Sequence, residues 1–204
     1  MIDFHAHMGF LNREGRADRP NLNADGLVAL MDARGLDQAV LLPLESPDWG
    51  GGYLLNEECL AARDKYPDRF IVFACADPRY PLASKMIDHM VRNCGCVGFG
   101  EHVNGLPLDD PLNRKLYAKV DELRLPMVFE ITRPHICFDE PGLPRLEGVL
   151  KAFPRLVFFG HSQPFWAEIG AIEAGDRRDA YPSGPVRPGR STRGCASTPA
   201  PRCG

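Results

Sequence analysis

Met1-Ile2-Asp3-Phe4-His5-Ala6-His7 opens the chain. Apolar and polar side chains alternate through it, the pattern of a β-strand whose successive residues point to opposite faces. His5 and His7 therefore share a face, about 7 Å apart along the strand. Two imidazoles at one strand end can hold a divalent transition metal, with nitrogens about 2.0–2.1 Å from it. The plainer alternative is two histidines titrating in solvent near a terminus. Asp3 is expected to face away from the pair and to anchor a neighbouring loop.

Beyond this strand the chain alternates short apolar runs with amphipathic stretches. Residues 8–23 are polar, with Gly, Asn, Arg and Pro, and read as a loop. Leu27, Leu30 and Met31 recur at helical spacing within Ala24–Arg34, and Gly35 is a suitable stop. Gln38–Pro43 reads as a second strand, buried on both faces. A Pro47–Gly52 loop, a helix near Leu54–Lys65 and a break at Tyr66-Pro67-Asp68 follow. Phe70–Ala76 is the third strand, Leu82–Asn93 the third helix, and Cys96–Gly100 the fourth strand, ending at Glu101-His102. Asp110 is placed to cap the fourth helix, with Pro111 at its first turn, where a missing N–H costs nothing. Pro126–Ile131 is the fifth strand, Leu143–Phe153 the fifth helix, and Leu156–Gly160 the sixth strand, ending at His161. Such alternation means βαβ units and a parallel sheet. It leaves both an open doubly wound sheet and a (β/α)8 barrel available. No Gly-x-Gly-x-x-Gly follows the first strand, which argues against dinucleotide binding.

The polar residues favour the barrel. His5, His7, Glu101, Glu130 and His161 all fall at or just past the C-terminal end of a strand, and in a parallel barrel those ends make one face where reactive groups collect. Histidine and carboxylate donors without thiolate suit zinc, manganese or iron, and would leave positions for water. Each residue has a duller reading. Glu101 could cap a loop, and His161 could be a hydrogen-bonded core histidine. Glu130 lies in an apolar strand, where an unpaired carboxylate is costly; a salt bridge to Arg133 or a polar barrel mouth would account for it as well as metal ligation. His102 and His135 are loop histidines available for substrate contact, and His89 falls mid-helix and reads as surface.

Composition narrows the class. The 204 residues are 44% hydrophobic, enough for a sizeable core, and 24 basic against 27 acidic side chains give a net charge near −3, so no nucleic-acid partner is expected. No apolar run reaches the roughly 20 residues that cross a bilayer. A strand starting at residue 2 leaves no room for a signal peptide, so no membrane association and a cytoplasmic location are expected. Cys59, Cys75, Cys94, Cys96, Cys137, Cys195 and Cys203 lack paired C-x-x-C spacing and read as reduced thiols, with Cys94 and Cys96 as packing residues.

Taken together, the motifs resemble the amidohydrolase superfamily, in its branch of metal-dependent hydrolases and nonoxidative decarboxylases. The resemblance is carried by Ile2-Asp-Phe-His-Ala-His7, Gly98-Phe-Gly-Glu-His102, Leu108-Asp-Asp-Pro111, Leu125-Pro-Met-Val-Phe-Glu130, Asp139-Glu-Pro-Gly-Leu-Pro-Arg-Leu-Glu147 and Phe158-Phe-Gly-His-Ser162 with Phe165-Trp166. It implies a (β/α)8 barrel and a divalent metal, zinc first and manganese or iron as alternatives. It implies metal ligands at His5, His7, Glu101 and His161, and a small-molecule substrate with an amide, ester or similar carbonyl. Glu130 stands where the family often has histidine. The family also completes its site with an aspartate after strand eight, which this sequence lacks. Glu101 and Glu130 are then the candidate catalytic carboxylates. Nonoxidative decarboxylation is the alternative activity, and a non-catalytic remnant is the third reading.

About six βα units are visible, so residues 1–172 are expected to form an incomplete barrel and 173–204 a low-hydrophobicity tail. Tyr181–Pro188 still resembles the family's loop. From Gly189 to Gly204 there is no Leu, Ile, Val or aromatic residue, a composition that reads as disordered. The tail looks like out-of-frame translation of a GC-rich gene, with a natural short variant as the competing account; resequencing the locus separates them. Open edges on strands one and six, and a partly uncovered segment at Pro164–Ile169, would favour homo-oligomers.

Overall fold

The computed structural model describes residues 1–9, 21–46, 54–131, 136–162, 165, 166 and 168. Six parallel strands alternate with five helices: β1 (Ile2–Ala6), α1 (Ala24–Ala33), β2 (Gln38–Leu41), α2 (Asn56–Lys65), β3 (Phe70–Val72), α3 (Ala83–Cys94), β4 (Phe99–His102), α4 (Pro111–Glu122), β5 (Pro126–Glu130), α5 (Pro144–Ala152) and β6 (Val157–His161). The strands pair in chain order as β1-β2-β3 and β4-β5-β6, joined by a parallel bridge between Ala74 and Phe99. This is an incomplete (β/α)8 barrel, as expected. The C-terminal tail, the residues 10–20 and 47–53, and Arg133 and His135 lie outside the described residues.

Local signals explain the helix ends. The Asn23 side chain accepts from the Gly26 N–H at 2.9 Å and starts α1, and Gly35, at φ 66°, follows its end. The Asp110 carboxylate accepts from the Leu112 N–H at 2.8 Å ahead of Pro111. One boundary moves: α2 begins at Asn56, because Leu54 is fully buried and bridges to Leu44 instead.

Apolar packing divides into layers. On the helix side, Leu27, Met31, Cys59 and Phe70 pack with Ala39 and Leu41, and Leu116, Tyr117 and Val120 pack with Phe99, Met127 and Phe129. Met86 and Val91 touch both groups. Inside the barrel, Val40, Leu42, Phe73 and Val128 form a separate small cluster.

Two irregularities of register decide what faces inward. Asp3 pairs with Ala39 and Ala6 with Leu41, so Phe4 and His5 together oppose the single residue Val40. Phe99 pairs with Met127 and His102 with Phe129, so Gly100 and Glu101 oppose the single residue Val128. Each is a β-bulge, which re-aims the side chains beyond it. Strict alternation from Phe4 would have turned His5 outward. The bulge keeps Asp3 and Ala6 on the helix side and frees His5 to join His7 inside. Among the described residues, the Asp3 carboxylate accepts from the His5 N–H at 3.0 Å, within the bulge itself.

Candidate metal centre

The bulge in β4 places Glu101, only 3% exposed, at the focus of three imidazoles. His7 Nε2 lies 2.9 Å from Glu101 Oε2 and His5 Nε2 lies 3.3 Å from the same oxygen. His161 Nε2 contacts Glu101 Oε1. The two strand-one histidines have their Nε2 atoms 2.9 Å apart. His5, Glu101 and His161 each offer a donor atom within 4.8 Å of the others, a grouping suited to a metal ion. The structure brings together these four residues, which come from β1 and the residue that follows it, β4 and β6.

One hydrogen bond sets the chemistry of His7. Its Nδ1 lies 2.9 Å from the Leu42 carbonyl, which can only accept, so Nδ1 carries a proton and Nε2 is the ring nitrogen that faces the cluster. The Nε2 atoms of three imidazoles and the oxygens of one carboxylate crowd a single point. A cation satisfies such a set directly, so the residues present fit a divalent metal.

Charge follows from the same geometry. Burial alone would raise the Glu101 carboxyl, but hydrogen bonds from His161, His5 and His7 outweigh it and hold the group well below the usual carboxylate range. Burial lowers His5, with Glu101 opposing in part. Burial acts on His7 in the same direction, yet the hydrogen bond and charge of Glu101 and the Leu42 carbonyl leave it raised.

Glu130 ends β5 beside its register partner His161. Burial first, then the charge of Glu101, raise its carboxyl, while His161 and His7 oppose. It has no hydrogen-bond partner among the described residues. The structure overturns the reading of His102 as a substrate-contact residue. Beyond the bulge it turns to the helix side, 1% exposed, with Nε2 3.2 Å from Asn104 Nδ2 and 3.3 Å from the Tyr117 hydroxyl. His89 is exposed on α3, as its position suggested.

The amidohydrolase family model matches residues 2–187. The chain belongs to the amidohydrolase family.

The match runs past residue 172 and into the Tyr181–Pro188 stretch that resembles the family's loop. No curated protein matches the chain. Among solved structures, it is similar to 2,6-dihydroxybenzoate decarboxylase from Rhizobium, at 19% identity over 91% of this chain and 73% of that one, with a TM-score of 0.58. A second structure of 2,6-dihydroxybenzoate decarboxylase, complexed with 2,6-dihydroxybenzoate, matches at 18% identity, 91% and 74% coverage and a TM-score of 0.57. An amidohydrolase II matches at 16% identity, 77% and 65% coverage and a TM-score of 0.55. At such identities the likeness is one of fold. As a member of this family the chain has the fold of a metal-dependent hydrolase or decarboxylase. Among the described residues, no helix is long and apolar enough to cross a membrane.

Sequence reasoning passed over two residues behind this amidohydrolase-family site. The Cys75 thiol donates to the Glu101 carbonyl at 3.3 Å, and the Asn56 side chain donates to the Cys75 carbonyl at 2.8 Å and accepts from its N–H at 2.9 Å. Burial raises the Cys75 thiol far above its usual value, so it keeps the proton it donates. Cys75 lies at the C-terminal end of the third apolar run, so the rule that singled out Glu101 and His161 would have singled it out too.

Proposed function

We propose that the chain acts as a metal-dependent hydrolase of the amidohydrolase type, on a small molecule carrying an amide, ester or similar carbonyl. The observation that carries this reading is the convergence of three imidazole Nε2 atoms on one buried carboxylate at the mouth of the barrel. His5, His7, Glu101 and His161 would hold the ion. Nitrogen and oxygen donors without thiolate point to zinc, with manganese or iron as alternatives. A divalent ion bound there would polarise a carbonyl and lower the pKa of a coordinated water towards neutrality.

The chain's own groups divide the remaining work. Glu101 keeps so little affinity for protons that it serves as an anionic ligand rather than a base. The Leu42 carbonyl holds the His7 ring in orientation. Proton transfer falls to Glu130, whose carboxyl is raised by burial and by the charge of Glu101 and can take up a proton and return it to the leaving group. This is the role that the family resemblance gives to an aspartate after strand eight.

Glu130 serves a second reading, nonoxidative decarboxylation, equally well. A carboxyl with raised proton affinity can protonate a carbon that has lost carbon dioxide as readily as a leaving nitrogen or oxygen. The test is to measure metal content of the purified full chain, then turnover of amide and ester substrates against carbon dioxide release from aromatic carboxylates. Glu130→Gln is expected to lower kcat about 10²–10⁴-fold with metal content unchanged. Unchanged kcat removes Glu130 from the mechanism. Stoichiometric metal with no turnover of either panel favours a non-catalytic metal-binding protein.

A further inference from the structure

The β4 bulge that aims Glu101 inward has a cost on its other side. Where two residues oppose one, the ladder is locally disrupted and carbonyls lose their regular partners. Buried carbonyls left unpaired are unfavourable, so something must satisfy them. Two thiols donate to the carbonyls of Glu101, in the bulge, and of His102, just past it. Cys75 Sγ donates to the Glu101 carbonyl at 3.3 Å, and Cys137 Sγ donates to the His102 carbonyl at 3.5 Å. The first thiol follows β3 and the second follows β5, so the two carbonyls are held from opposite neighbours of β4. Cys75 is itself fixed by the paired hydrogen bonds from Asn56. Asn56, Cys75, Cys137, Glu101 and His102 are all at most 4% exposed, so water does not compete for these bonds.

We propose that Cys75 and Cys137 are positioning residues for the metal centre, clamping the carbonyls of Glu101 in the bulge and of His102 just past it so that the Glu101 carboxylate stays aimed at His5, His7 and His161. A thiol is a weak donor, but here a buried thiol reaches each carbonyl, and the Asn56–Cys75–Glu101 chain links α2 to the site. The same thiols read as inert packing residues if judged by burial alone. The difference between the two roles is whether a hydrogen-bond donor is needed or only volume.

The inference rests on the reading of Glu101 as a ligand, and the experiment separates the two. Cys75→Ala, Cys137→Ala, Cys75→Ser and Cys137→Ser are made in the full chain, and zinc affinity is measured by competition with a chelating dye. Amide hydrogen exchange is followed in parallel on metal-free protein at Glu101, whose N–H donates to the Pro43 carbonyl at 3.1 Å. Each alanine variant is expected to bind zinc about 10- to 100-fold more weakly, the usual effect of losing a group that orients a ligand. In each, Glu101 amide exchange is expected to quicken about tenfold, with Phe73 in the β2–β3 ladder unchanged. Serine variants, which restore a donor, are expected to recover both properties. If packing alone matters, the polar serine is at least as harmful as alanine, and that result overturns the proposal. Alanine variants with wild-type Glu101 exchange overturn it too. If wild-type protein binds no zinc, the metal reading fails, and the exchange measurement alone decides the clamp.

Discussion

His102 follows Glu101 in the chain, yet the two side chains live in opposite settings. Glu101 is ionised among imidazoles, whereas His102 is sealed between Asn104 and Tyr117 on the helix side, where burial drives its pKa down to about 4. A histidine kept neutral in the fold but free to protonate when unfolded makes folding less favourable in acid. Its contribution is complete above the unfolded value near 6.5 and is lost as pH falls towards 4, about 3 kcal/mol in all. Glu101 works in the same direction over a lower range: its depressed carboxyl stabilises above about pH 4.3, and that stability is lost as pH drops through the folded value. His7 opposes both, since its raised pKa favours folding below about 6.5 and the benefit disappears as pH rises through the folded value. Urea unfolding of metal-free protein at pH 7 and pH 4.5 is expected to show a smaller acid loss in His102→Gln than in wild type. Equal losses would count against His102 as the main acid-sensitive group. Glu101→Gln keeps the shape but removes the charge, and is expected to abolish stoichiometric zinc while leaving a folded barrel; retained zinc, read by elemental analysis, would refute its role as ligand.

At the scale of elements, the bulges are the decisive features, and glycine marks the one in β4. Gly100 has φ 139°, and a Cβ there would lie 2.5 Å from the Val128 carbonyl oxygen. Gly100→Ala must shift β4 against β5 and is expected to cost about 2 kcal/mol or more, on the order of other substitutions that strain a special backbone position. Gly148 offers the contrast: it sits exposed within α5, and a Cβ added there would meet nothing within 4 Å. Gly148→Ala is expected to stabilise by about 0.5–1 kcal/mol through helix propensity. Denaturant midpoints of the two variants check both signs, and a neutral Gly100→Ala would mean that the bulge tolerates a side chain.

For the molecule as a whole, the described strands leave two open edges. β1 pairs only with β2 and β6 only with β5. The edges meet through side chains rather than a ladder: the Phe4 and Phe159 rings are 4.6 Å apart, and the His5 and His161 rings 4.2 Å apart. Ile2 at 53% and Val157 at 54% exposure extend the same seam as apolar surface. Unpaired edges carrying apolar residues favour association with further chains. Val157→Lys, at a position already half in solvent, is expected to reduce self-association in sedimentation velocity without lowering the unfolding midpoint. Association that persists unchanged would mean that other surfaces drive it.

The order of strands and helices was legible in the sequence because each βα unit announces itself locally, by an apolar run followed by helical periodicity and a cap such as Asn23 or Asp110. The ligand-type residues were legible as well, since histidines and carboxylates at successive strand ends need only the parallel direction of the strands to share a face. Side-chain direction at the two bulges was not. Alternation alone sets His5 against Phe4 and leaves Glu101 and His102 interchangeable. Which of them enters the barrel depends on register with β2 and β5, a relation between distant segments. The same limit hid the Cys75 clamp, because a thiol's role is decided by the carbonyl it meets. Composition and period determine which elements form; the pairing of one strand against another decides which atoms meet.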